Sequence, residues 1–187
     1  MSEKNFMDKA IEKLKKEYAA IENRTDITDD QKIGRIIKIT AAICAGVATQ
    51  PIPFADIFIL TPIQIVMGTR IAAVRGLPVT KNDVVSTLKE ISGAVGLAYL
   101  AQQLVISAYK TGLPFLGGFM TIPLVYGLTY GIGRVMDAYF IHKAKGQMLK
   151  PEQMKDIWKR GEKEGKKSTD KASARAHAKD IRGESND

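Results

Sequence analysis

The stretch PFADIFILTP at 53–62 returns as PFLGGFMTIP at 114–123, with Pro-Phe first, a second Phe four positions after the first, and a closing Pro nine positions after the opening one. Proline lacks the backbone donor that a continuing helix needs and is tolerated in the first helical turn. Each copy therefore reads as a turn that opens an apolar helix and then interrupts it. Outward from the first copy, TDDQK offers Thr28 as an N-cap with acids behind it, so a helix should run over 28–49 and stop at Pro51. The helix from Pro53 should reach Arg75, with a kink at Pro62. VTKND then offers Thr80 as an N-cap with Asp83 three residues on, which opens the longest helical pattern, 81–110. Pro114 begins the last of the four, running to Lys145 with a kink at Pro123. No stretch alternates with period two long enough for a strand. The expectation is an all-α protein: two Pro-hinged helical hairpins forming a four-helix core over 28–146.

Amphipathic segments flank that core. Residues 1–27 carry Phe6, Ala10, Ile11, Leu14, Tyr18 and Ile21 at helical spacing among Lys and Glu, the pattern of a helix that needs a partner face. Residues 147–167 form a basic amphipathic helix from Pro151, with Met154, Ile157 and Trp158 on one side. From 168 to 187 there is almost no apolar side chain, and disorder is expected.

Charge is distributed unevenly: residues 33–141 hold 12 of the 48 charged side chains. The net charge of +8 suits an anionic partner, such as a lipid headgroup layer, nucleic acid or an acidic protein. Nucleic acid is the weakest of these, because no recognition motif or aromatic platform accompanies the tail charge. The expected hairpin tips, PIPFAD and TGLPFLGG, are nearly uncharged. Lys32, Arg35, Lys38, Arg70, Arg75, Lys81, Lys89, Arg134, Lys143 and Lys145 should collect at the opposite ends, as a positive-inside bias would place them. A spanning helix needs about 20 apolar residues. The uncharged runs 39–55, 57–69, 91–109 and 111–133 contain 17, 13, 19 and 23, so only the second hairpin is long enough on both legs. Gly127 and Gly131 form a G-x-x-x-G pair that permits close helix approach, which favours lipid over a wholly soluble bundle. No cleaved export signal is read at the amino terminus.

Chemistry is sparse. GEKEGKKS at 161–168 looks like a phosphate-binding loop but has three residues rather than four between its glycines, and two lysines follow. TKND at 80–83 matches a guanine-gripping string, yet no phosphate loop accompanies it. Cys44 is the single cysteine and reads as a buried apolar residue; His142 and His177 have no second ligand at metal spacing. Asp56 falls in a first helical turn, where the macrodipole favours a carboxylate. Arg134 and Asp137 are three apart and should pair. Gln64 should bond to a neighbouring helix rather than to a ligand. No nucleophile, base and orienter can be assembled, so no catalytic, cofactor or metal residue is assigned. Trp158, Lys159 and Arg160 suit either a headgroup layer or a docking contact, with bundle or partner.

The segment PIPFADIFILTPIQIVMGTRIAAVRGLPV at 51–79 resembles a bacterial domain family of unknown function that accompanies small GTPases, the family of YcjF-type inner-membrane proteins. Pro51, Pro53, Asp56, Gln64, Arg70 and Gly76 carry the likeness, joined by LPFLGG at 113–118 and GIGRVMDAYF at 131–140. The resemblance covers about 30–145 and implies a helical, membrane-associated module that works beside a GTPase. This chain has no GTPase domain of its own, so the GTPase would come from another polypeptide. The functional expectation is a non-enzymatic module at the cytoplasmic side of a bacterial inner membrane, with a GTPase in trans or a second copy as partner. The alternatives are a soluble cytoplasmic interaction bundle and a hairpin-based pore.

Overall fold

Thr28 starts the central helix as the sequence says it should. In the computed structural model, which describes residues 3–48, 60–96 and 117–169, its hydroxyl accepts from the Gln31 amide at 3.3 Å while Gln31 Oε1 accepts from the Thr28 amide at 3.0 Å. This reciprocal box, with Asp29 and Asp30 in the first turn, opens α2, Asp29–Val47. Residues 40–48 are buried on every side, which makes α2 the axis of the protein. Thr28→Ala is expected to remove about 1 kcal/mol of stability, read as a lower urea midpoint with an unchanged slope.

The remaining described helices are α1 (Glu3–Glu22), α3 (Thr61–Val74), α4 (Lys81–Val95), α5 (Gly117–Ala144) and α6 (Pro151–Lys167). Every regular element among the described residues is helical, so the all-α expectation holds. The amphipathic stripe of α1 buries Ala10, Leu14, Tyr18 and Ile21, and the Tyr18 hydroxyl bonds to that of Thr40 on α2. Both flanking helices belong to one core: Leu14 and Tyr18 from one end of the chain join Met154 and Trp158 from the other.

Helix directions follow from the side chains that meet. Arg75, just past α3, pairs with Asp30 at the start of α2 and with Asp137 late in α5. Further along, a Cβ on Gly133 would touch Ile37, and the Cys44 thiol lies beside Thr129. Hence α5 runs antiparallel to α2, and α3 returns antiparallel to α2. Thr61 and Gln64 share a cleft with Leu88 and Ser92, so α4 is antiparallel to α3. Consequently Ala48, Leu60, Gly96 and Gly117, the described residues that flank 49–59 and 97–116, lie toward one end. A glycine turn at Gly146, φ 67°, then folds α6 back along α5 toward that same end.

Two expectations need revision. The 81–110 helix stops at Val95, because Gly96 takes φ 70° and ψ −153°, a backbone conformation open essentially to glycine alone. Pro62 lies in the first turn of α3 as described, and the run from Pro53 that would make it an interior kink lies outside the described residues. The basic residues do not all gather at one end, since the return of α6 carries Lys163, Lys166 and Lys167 to the level of Gly127. Pro123 lies inside α5, whose helical assignment runs through it. Pro51, Pro53, Asp56 and Pro114, the expected start of a helix at Pro53, and the tail from 170 lie outside the described residues.

Candidate functional site

The tightest packing joins α5 to α6. A Cβ built on Gly127 would stand 2.8 Å from the Glu162 carbonyl oxygen and 2.7 Å from Lys166 Cγ; one on Gly131 would stand 3.0 Å from the Trp158 carbonyl oxygen. From the other side, a Cβ on Gly161 would meet Gly131 Cα at 3.0 Å, and one on Gly165 would meet Gly127 Cα at 2.9 Å. Two G-x-x-x-G pairs thus press their backbones together, and the look-alike phosphate loop is half of this seam. The seam seats Trp158, which is 3% exposed, against α5 and away from water. Tyr130 Oη donates to Glu164 at 2.6 Å beside it, and burial with that carboxylate pushes the phenol up to about 12.

Docking onto the bundle is therefore the role of Trp158, and the headgroup reading of that side chain falls. Lys159 and Arg160 are exposed on the opposite side, with Lys155, Lys163 and Lys167. Lys166 instead pairs with Glu162. The exposed face of α6 is thus mainly cationic: Lys159, Arg160, Lys163 and Lys167 have no ion-pair partner among the described residues, and the exposed acids Glu152, Asp156 and Glu164 share the helix.

Asp137 does not pair with Arg134. It accepts from Arg75 Nε at 2.8 Å and Nη2 at 2.7 Å, while Arg75 Nη2 also reaches Asp30 at 2.8 Å. The Asp137 carboxyl is raised above the ordinary carboxylate range, burial outweighing the help of Arg75. Arg70 pairs with Glu22 at 3.4 Å. Two cations of the expected positive cluster are thus engaged by acids, and their role is to tie α1, α2, α3 and α5 together.

Gln64 is 2% exposed, and its Nε2 donates to nothing among the described residues, so the expected interhelical bond is not made. A buried amide donor left unmet costs about 1–3 kcal/mol. It lines a cavity of about 310 Å³ between α3 and α4, with Ile65, Val85, Leu88, Lys89 and Ser92.

The Cys44 thiol is fully enclosed and burial pushes it up to about 12, in keeping with an inert core residue. Among the described residues no group of three His, Cys, Asp or Glu is placed to hold a metal ion. None of the described helices is long and apolar enough to cross a membrane, which removes the spanning reading from the described part of the second hairpin. Pro123, Tyr126, Thr129, Tyr130, Arg134 and Asp137 break the apolar run of α5, and its small-residue face is covered by a charged helix. Gly127 and Gly131 do lie at a close helix approach, but what they approach is Gly161 and Gly165, at the same spacing in GEKEG. Comparison of the chain with protein-family models, with curated proteins and with solved structures finds no match.

Proposed function

We propose that this chain is a non-enzymatic helical module that adsorbs on an anionic membrane surface and serves there as partner to a GTPase supplied by another polypeptide. The observation that carries the membrane half is the shared direction of Ala48, Leu60, Gly96 and Gly117, with the lysines of α6 returned toward that end as far as Gly127. The described parts of the uncharged stretches 39–55 and 111–133 lead toward this end, which pairs apolar sequence with the cationic side chains of α6, the combination that interfacial binding requires. Adsorption with shallow insertion fits better than spanning, and a pore has no support from any described helix. The GTPase half rests on the family resemblance over about 30–145 alone; a GTPase recovered with the full chain from its native membrane would support it.

Pelleting with vesicles tests the membrane half. The full chain is expected to sediment with vesicles containing phosphatidylglycerol and not with pure phosphatidylcholine, and to be released as salt rises. Each surface lysine near an anionic layer contributes about 1 kcal/mol, so Lys163→Gln with Lys167→Gln should weaken partitioning by about 30-fold. Equal pelleting with neutral and anionic vesicles would contradict the proposal. A second reading, a soluble helical-bundle interaction protein, is favoured by the covering of α5 by α6. It gains if the detergent-free protein is one monodisperse species that pellets with neither vesicle.

A further inference from the structure

We propose that the cleft between α3 and α4 is a binding site for a short straight-chain monocarboxylate, with its head between Gln64 and Lys89 and its chain along Ile65, Val85 and Leu88. The cavity, about 310 Å³, lies at the small end of ligand sites, which run from about 300 to 1,000 Å³. Its wall is mostly aliphatic, and it holds one polar group with an unmet demand: the buried Gln64 amide, whose Nε2 has no acceptor. Nε2 itself is enclosed, so a ligand oxygen would supply that acceptor once the Gln64 amide rotates toward the cleft.

An ionised carboxylate suits the site better than a hydroxyl or an amine. Lys89 stands exposed at the mouth and has no ion-pair partner among the described residues. Glu90, next along α4, is turned elsewhere, accepting from the Tyr139 hydroxyl at 3.0 Å. No acid is among the cavity's described lining, so an ammonium head would find no counter-charge. Thus one donor is buried, one cation is mobile and solvated, and an aliphatic wall runs between helices. Thr61 and Ser92 add hydroxyls to the lining but no charge, so a single anionic head on an unbranched chain is the match. The site differs from the cationic strip on α6 and stands whether or not the module docks on a bilayer.

Calorimetric titration of the full chain with decanoate, below its micelle concentration and without vesicles, tests this. Saturable binding of one molecule per chain is expected, with decanol weaker and decyltrimethylammonium weaker still. Gln64→Leu keeps the shape and removes the orphan amide, so it should melt no lower than wild type while binding decanoate about tenfold more weakly. Lys89→Gln, at an exposed position, should weaken decanoate several-fold and leave decanol unchanged. Absence of saturable heat with decanoate overturns the proposal, as does undiminished binding by Gln64→Leu or a preference for the ammonium amphiphile. Lys163→Gln with Lys167→Gln should leave the titration unchanged; loss of decanoate binding there would also overturn it.

Discussion

Gly165→Val is expected to lower stability by about 3 kcal/mol, or about 6–12 °C in melting temperature for a chain of this size. The first atom beyond Cα at this position already lies 2.7 Å from Tyr130 Cβ and 2.9 Å from Gly127 Cα. Neither neighbour is the free end of a flexible side chain, so α6 must lift from α5. Trp158 is the single tryptophan and is buried between α6, which carries it, and α5, so its emission should shift to the red in parallel. Gly34→Ala is the control. That glycine is inside α2 with nothing within 4 Å of a built Cβ, and its replacement should stabilise by about 0.4–1 kcal/mol. A Gly165→Val protein that melts with wild type and keeps its emission would refute the seam.

The second large effect belongs to Asp137. Asp137→Ala leaves the Arg75 guanidinium, whose side chain is 17% exposed, with only Asp30, which is 81% exposed. Removing one member of a buried pair costs about 3–5 kcal/mol; because Asp30 remains, about 3 kcal/mol is expected, measured by urea unfolding. Replacing both members, Arg75→Met with Asp137→Leu, should recover most of that loss, since no charge is left stranded. The pH dependence has a definite sign. Because the folded carboxyl is raised, the folded state holds the proton more readily than the unfolded state does. The contribution of this group is fully present below the unfolded value and is lost as pH rises through the raised folded one. The stability gap between wild type and Asp137→Asn should therefore narrow on going from acid toward neutral pH.

Local rules carried the reading where the causes are local. Thr28 with Gln31 and Thr80 with Asp83 are signals confined to four residues, and both boxes form. Pro151 at the start of α6 is of the same kind. The failures share the opposite character. Arg134 looked like the partner of Asp137 because helical spacing sees three residues away; the actual partner, Arg75, is 62 positions distant in the chain. Helical periodicity gave Trp158 an apolar side but no information on what covers it. Gly161 and Gly165 escaped notice because Glu and Lys lie between them, although in a helix those residues point away from the glycine face. Gln64 was expected to find a partner because buried amides usually do, and only coordinates reveal one that does not.

The placement of α2 has a consequence for biosynthesis. Ile37 finds its cover in α5 around Gly133, 96 residues later. At about 5–20 residues per second on the ribosome, that interval lasts about 5–20 s. Throughout it the greasy face of α2 has emerged without its main cover, whereas α5 and α6 meet almost as soon as both exist. Nascent chains of this protein thus pass through a long sticky stage while residues 37–133 are made, where chaperones or an early bilayer encounter would act, and then a fast local closure of α6 on α5.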